Sequence, residues 1–121
     1  MERPLVTAPW LTEWWPQIVA TGARGGQSAA HIIDKIVKGH SVGFPVGYDA
    51  YLVLDRAEDD ALVISIGVGR NVRSWCGDAE ASLIAFGRAV GCHKLRIEGR
   101  KGWRRILPHW TRVGDDLELP L

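Results

Sequence analysis

The clearest alternation of apolar and charged side chains lies in the last third of the chain. Leu95 and Ile97 alternate with charged neighbours, which is the period-two pattern of a strand with one buried face. Beyond Gly99, apolar residues recur at the spacing of one helical face, and they are Trp103, Ile106 and Leu107. This stretch therefore predicts a strand over 94–98, a glycine turn and a short amphipathic helix over 101–110.

Helical spacing of apolar residues also predicts three earlier helices, over 10–20, 29–38 and 78–90. Ser28 and Asp78 are the expected N-caps of the second and third helices, because their side-chain oxygens can accept hydrogen bonds from first-turn amides.

Period-two alternation between residues 41 and 70 predicts a meander of three antiparallel strands. Shorter segments complete the prediction, namely a loop over 69–77 and strands over 110–113 and 117–121. A helix separates the strand that ends near Val68 from the strand over 94–98, so we expect these two strands to be parallel neighbours. The predicted class is α+β.

Composition places the chain among ordinary folded proteins. Its 121 residues are 46% apolar and 24% charged, with a net charge of +1, which predicts one domain over 1–121 and argues against a general nucleic-acid or membrane binder. Met1–Pro9 lacks the pattern of a secretion signal, and no apolar run reaches about 18 residues. We expect a soluble, unexported protein without a membrane segment.

The cysteines and histidines do not form a recognisable metal-binding motif. Cys76 and Cys92 lie far apart, and neither combines with a histidine at a metal-binding spacing, so we expect no metal site. Free thiols in a reducing compartment are the favoured interpretation, with a disulfide or a catalytic thiol as the alternative.

The order of the predicted elements resembles the GNAT acetyltransferase superfamily. Several motifs more closely resemble the small GNAT-like proteins encoded in phage and prophage structural gene regions. These motifs are Trp15-Pro16, Gly25-Gly26, Gly91-Cys92 and Gly99-Arg100-Lys101-Gly102-Trp103-Arg104-Arg105-Ile106-Leu107. The resemblance implies a GNAT-like, mixed and mostly antiparallel central sheet flanked by about four helices. It also implies a virion-associated protein, internal and ejected or close to the portal or tail, with other virion proteins as partners and the virion or host cytoplasm as its location.

The resemblance also raises the question of coenzyme A. GNAT enzymes hold its pyrophosphate with backbone amides of a loop between a strand and a helix. The matching segment is 69–79, and its candidate coenzyme-binding residues are Arg73, Gly77 and Ala79. Asp78 would repel phosphate there, and no tyrosine matches the family's usual acid. Glu98 is a candidate catalytic base, with an ion pair to a neighbouring arginine as the alternative. We expect a catalytically degenerate fold without a cofactor; an acetyl-CoA-dependent N-acetyltransferase is the alternative.

Basic residues crowd the predicted glycine turn and the helix that follows. The candidate partner-binding residues are Arg100, Lys101, Arg104, Arg105 and Trp110. We expect them to dock other virion proteins, because arginine and tryptophan are enriched at the centres of protein interfaces. A local nucleic-acid-binding module, in which the same side chains pair with phosphates and stack on bases, is an alternative, and so is a merely solvated basic rim.

Overall fold

The structure is a computed structural model, and it describes residues 9–46, 49–98 and 102–121 of the chain. These residues form four helices and six strands, which confirms the α+β class. In chain order the elements are α1 (Pro9–Arg24), α2 (Ala29–Val37), β1 (Ser41–Val46), β2 (Ala50–Arg56), β3 (Ala61–Gly69), α3 (Val72–Ala89), β4 (Lys94–Ile97), α4 (Trp103–Ile106), β5 (Thr111–Val113) and β6 (Asp116–Pro120).

The six strands of the described residues belong to one open, mixed sheet in the order β1-β2-β3-β4-β6-β5. Neighbouring strands are antiparallel except β3 and β4, which run parallel and are connected through α3. The predicted meander and the predicted parallel pair are therefore confirmed. β1 and β5 are the two free edges of the sheet.

β3 contains a bulge at Ser65. Val53 of β2 lies opposite Ile66, whereas the next residue, Leu54, lies opposite Ile64, so Ser65 has no counterpart on β2. The Ser65 hydroxyl donates a 3.1 Å hydrogen bond to the carbonyl of Val53. Because an extra residue reverses the alternation of side chains, Ile64 packs on one face of the sheet and Ile66 on the other.

Helices cover both faces of the sheet. On one face, α1 and α2 pack against β2 and β3; the buried side chains are Trp14, Ile18, Ile32, Ile36, Tyr51, Val53, Ile66 and Val68. On the other face, α3 and the turn after α4 pack against β2, β3, β4 and β6; this cluster includes Leu54, Leu62, Trp75, Leu83, Leu95, Ile97, Leu107 and Trp110. Burying one such large apolar side chain stabilises the fold by about 1.5–3 kcal/mol, so these clusters fix the helices on the sheet.

Local signals placed α2 correctly but set wrong boundaries for α1. Ser28 is extended and its hydroxyl oxygen accepts a 3.1 Å hydrogen bond from the amide of His31, which confirms the predicted N-cap. α1 continues through Gly22 to Arg24, beyond the predicted end at residue 20. A β-carbon on Gly22 would lie 2.6 Å from Cδ1 of Ile32, so a glycine lets α1 and α2 approach closely.

The predicted loop over 69–77 and the predicted N-cap at Asp78 are wrong, because α3 already begins at Val72. Trp75, Ala79 and Leu83 repeat every four residues and are all buried, so the packed face of α3 starts before Asp78. The indole N–H of Trp75 also donates a 2.9 Å hydrogen bond to the carbonyl of Arg70, which holds the first turn against the end of β3.

α4 is shorter than the predicted helix over 101–110. It spans Trp103–Ile106, and Leu107 leaves helical geometry with φ −121° and ψ 61°. Pro108 disfavours helical geometry in the residue before it and has no amide hydrogen of its own, so the helix ends there. In the described ranges, the helices lack the combined length and apolar character that a bilayer crossing requires.

Candidate functional site

A cleft opens where β3 and β4 separate. The two strands pair from Ala61 opposite Lys94 to Ile64 opposite Ile97; β4 then ends, while β3 continues to Gly69. The space that is left is about 190 Å³ in volume. Its lining residues are Thr21, Arg24 and Gly25 of α1 and the turn after it, Ile64, Ser65 and Gly67 of β3, Ile97, Glu98 and Trp103. The cleft is thus lined from both faces of the sheet.

Glu98, the candidate catalytic base, lies exposed at this cleft. Within the described residues its carboxylate makes no hydrogen bond or ion pair, and the neighbouring Arg96 binds Asp59 and Glu118 instead. On the opposite side, Arg24 donates a 3.2 Å hydrogen bond to the hydroxyl of Thr21. The cleft therefore brings a carboxylate and a guanidinium together around an aromatic wall, which can orient a small polar group.

Sequence reasoning missed the cleft residues contributed by α1 and β3. Ser65 and Gly67 were assigned to an ordinary strand, because nothing in the alternation of apolar residues marks the bulge. Gly67 was the available signal, since glycine inside a strand is typical of a bulge or a close approach. A β-carbon on Gly67 would lie 3.3 Å from Leu52 Cδ2 and 3.6 Å from Trp103 Cζ2.

A second space, of about 230 Å³, lies between the end of β3, the start of α3 and α4. Only Arg70 and Asn71 connect β3 to α3. Asn71 has a left-handed backbone and its side chain forms no cap, while its carbonyl accepts hydrogen bonds from the amide and the hydroxyl of Ser74, at 2.9 and 2.7 Å. This connection is a tight turn held by residues of α3.

The candidate coenzyme-binding residues therefore do not form a loop. Arg73, Gly77 and Ala79 lie inside α3. Arg73 and Gly77 are exposed, and Ala79 is buried in the core at 5% exposure. Backbone amides within a helix interior are already bonded to carbonyls one turn earlier, so Gly77 and Ala79 have none free for a phosphate.

Tyr51 cannot serve as the general acid that a tyrosine usually supplies in GNAT enzymes. It lies at 1% exposure in the cluster beneath α1 and α2, and burial raises the pKa of its phenol. Tyr48 lies outside the described residues.

The candidate partner-binding residues divide into three groups. Arg104 and Arg105 lie on α4, half-buried and exposed respectively, and neither pairs with an acidic group in the part of the chain that the structure describes. Arg100 and Lys101 lie outside the described residues. Trp110 is only 6% exposed, so its assignment to a docking surface is wrong.

A carboxylate in α3 holds Trp110 inside. The indole N–H donates to Oε1 of Glu80 at 2.5 Å, and Nε2 of His109 lies 2.6 Å from the same oxygen. Because a buried indole N–H needs an acceptor, Glu80 allows Trp110, the residue just before β5, to be a core residue.

Two thiols lie in the described part of the chain. Cys76 is half-buried, Cys92 is buried, and both are free. Among the residues that the structure describes, histidine, cysteine and carboxylate side chains form no cluster that fits a metal ion.

Comparison of this chain with models of protein families, with curated proteins and with solved structures finds no match in any of the three.

Proposed function

We propose that this chain is a GNAT-like domain with a degenerate coenzyme site that serves as a phage virion-associated protein, either internal and ejected or close to the portal or tail. The order of elements supports the GNAT-like part, because an antiparallel meander is followed by a helix, a parallel strand, a short helix and the last strands. The phage part rests on the motifs around Gly91-Cys92 and Gly99–Leu107.

The observation that carries the degenerate site is the connection between β3 and α3. With only Arg70 and Asn71 between these elements, no loop is present whose successive amides could surround a pyrophosphate. The carbonyls of this connection accept hydrogen bonds from Ser74 and Trp75, which keeps the turn closed. Efficient acetyl transfer would lack its usual anchor for the coenzyme.

The proposed docking surface is the outward side of α4. Arg104 and Arg105 have no acidic partner among the described residues, so their guanidinium groups remain available to acidic protein surface. Trp103 and Ile106 of the same helix pack against the core, so α4 presents the arginines from a fixed backbone.

Calorimetric titration with acetyl-CoA tests the degenerate site. We expect no appreciable binding. A dissociation constant of about 100 µM or tighter, near −5.5 kcal/mol, would overturn this part and support the enzyme.

Incorporation into particles tests the docking surface. The Arg104→Ala/Arg105→Ala variant should fold normally, because neither side chain makes an ion pair within the described residues, and charges near the surface contribute at most about 1 kcal/mol each to stability. Its association with purified particles should fall by at least about tenfold, since arginines at interface centres are hot spots. The matched control is Arg73→Ala/Arg88→Ala, which removes two exposed arginines of α3 and should be incorporated normally.

Equal incorporation of both double variants would remove α4 from the proposal. Salt-sensitive binding of the wild-type protein to DNA, lost in the α4 variant, would instead support the nucleic-acid alternative.

A second candidate, an acetyl-CoA-dependent N-acetyltransferase, is favoured by the cleft at Glu98. Glu98, whose carboxylate has no partner among the described residues, lies beside a space of about 190 Å³ and can accept a proton from an amine. For this candidate, Glu98→Gln should abolish acetyl transfer to amine substrates while leaving the unfolding midpoint unchanged.

A further inference from the structure

A groove runs between the free edge strand β1 and the N-terminal half of α3, with a volume of about 400 Å³. Phe44, Trp75 and Ala79 contribute apolar surface to it, and Asp49, Asp78 and Ser82 contribute oxygen atoms. It is distinct from the cleft at Glu98 and from Arg104 and Arg105, which do not line it.

The aromatic side chains of this groove are held rigidly. Trp75 is 8% exposed and its indole N–H is bonded to the carbonyl of Arg70, so the ring cannot turn away. Phe44 packs against Phe86 of α3 with ring centroids 6.1 Å apart. A partner would meet a preformed aromatic surface and would not have to order these rings on binding.

The charge of the groove is negative. Asp78 is exposed in α3 and makes no hydrogen bond or ion pair with any described residue. Asp49 is approached by Arg70, whose Nε lies 4.0 Å from its carboxylate. Arg70 is shared, because it also approaches Glu13 at 3.8 Å and stacks over Trp14. Of the described lining residues none is a lysine or an arginine, so Asp78 is left to an outside cation, while Asp49 shares Arg70 with Glu13.

We propose that this groove docks a basic, extended segment of a partner protein, with an arginine or lysine side chain placed beside the half-buried ring of Phe44, between Asp49 and Asp78. A cation gains both from the two carboxylates and from an aromatic face. An extended segment fits because the groove follows the edge strand β1. Pro45 has no amide hydrogen, so a continuous hydrogen-bond ladder is interrupted there and the side chains carry the specificity.

The test uses a short fluorescein-labelled peptide in which arginine alternates with valine and threonine, measured by fluorescence anisotropy with the full chain. We expect a dissociation constant of about 100 µM or tighter. Asp78→Asn should weaken binding by about two- to fivefold, and Asp78→Lys by at least about tenfold, because the latter places like charges together. Asp115→Lys is the matched control; it makes the same charge change in the turn between β5 and β6 and should stay within about twofold.

A further measurement locates the peptide, and another checks folding. In a proton–nitrogen NMR spectrum, the indole signal of Trp75 should shift on titration, and the analogue peptide with glutamate for arginine should cause no shift. Circular dichroism checks that each variant is folded. We expect Asp78→Lys to fold, because lysine has a higher helix propensity than aspartate.

Several outcomes would overturn the proposal: no binding up to about 1 mM, equal weakening by Asp78→Lys and Asp115→Lys, or an unchanged Trp75 signal. Self-association of the wild-type protein that Asp78→Lys abolishes, seen by sedimentation, would also overturn it, because the groove would then belong to a second copy of the chain.

Discussion

Glu80→Ala is the substitution that most directly tests how the end of the chain is anchored. Glu80 Oε1 accepts the indole N–H of Trp110 at 2.5 Å, and Trp110 is 6% exposed. Removing the carboxylate leaves a buried donor without its partner, whereas removing the indole leaves a carboxylate that water can reach, since the Glu80 side chain is 22% exposed. The two substitutions should therefore differ in cost.

The magnitude follows from the burial of the two groups. A hydrogen bond to a charged acceptor contributes about 1.5–3 kcal/mol, and an unsatisfied buried donor costs about 1–3 kcal/mol. Because Glu80 is partly solvated, we expect Glu80→Ala to lower the free energy of unfolding by about 1.5 kcal/mol. In the Trp110→Phe background the same change should cost less than about 0.5 kcal/mol, which gives a coupling energy of about 1 kcal/mol.

Urea unfolding at neutral pH measures these differences. A loss of about 1.5 kcal/mol lowers the midpoint by about 1 M when the slope is about 1.5 kcal/mol/M. Glu58→Ala is the matched control, since Glu58 is exposed in the turn between β2 and β3 and should change stability by less than about 0.5 kcal/mol. The anchoring of Trp110 is refuted if Glu80→Ala changes stability as little as Glu58→Ala, or if the stability losses of Glu80→Ala and Trp110→Phe simply add in the double variant. Trp110 would then again be a candidate docking residue.

Three further outcomes are expected. Ser28→Ala should lower the free energy of unfolding by about 1 kcal/mol through loss of the N-cap bond to His31, while Ser28→Asp keeps an acceptor and should be nearly neutral in thermal unfolding. Leu95→Ala should cost about 2–5 kcal/mol, because Leu95 is fully buried at 0% exposure; a loss below about 1 kcal/mol in urea unfolding would contradict its place in the core. A hydrogen bond from Arg96 lowers the pKa of Asp59 to about 2, whereas an unfolded aspartate titrates near pH 3.9, so its stabilising effect is complete above about pH 4 and is lost as the pH falls toward 2. Asp59→Asn should flatten the dependence of stability on pH in this window, and an unchanged dependence in acid titrations would rule out the Asp59–Arg96 pair as its source.

Signals between near neighbours in the chain predicted the local elements well. Ser28 caps α2 through an amide only three residues away, and Leu95 and Ile97 alternate with residues directly beside them. Such preferences are set by backbone geometry and by the solvation of adjacent side chains, so they can be recognised without knowing the fold.

The start of α3 was predicted wrongly because two local signals conflicted with a packing signal. Gly77 and Asp78 are typical of a loop followed by an N-cap, whereas Trp75 and Ala79 belong to the buried face. Packing prevailed, because burying Trp75 against the sheet contributes more than the propensity cost of glycine in a helix, about 1 kcal/mol.

By itself, the sequence determined the class of the fold, the succession of helices and strands, and the parallel pairing of β3 with β4, the strands before and after α3 in the chain. These features follow from periodicity and chain order. Tertiary structure alone decided which chemical groups meet. Trp110 is a core residue and not a docking residue because Glu80, 30 residues earlier, supplies its acceptor. Glu98 faces a cleft because β4 ends while β3 continues. Both outcomes depend on contacts between segments that are distant in sequence. The residues next to Trp110 or Glu98 in the chain do not show which distant side chain will bond to it or which space it will face.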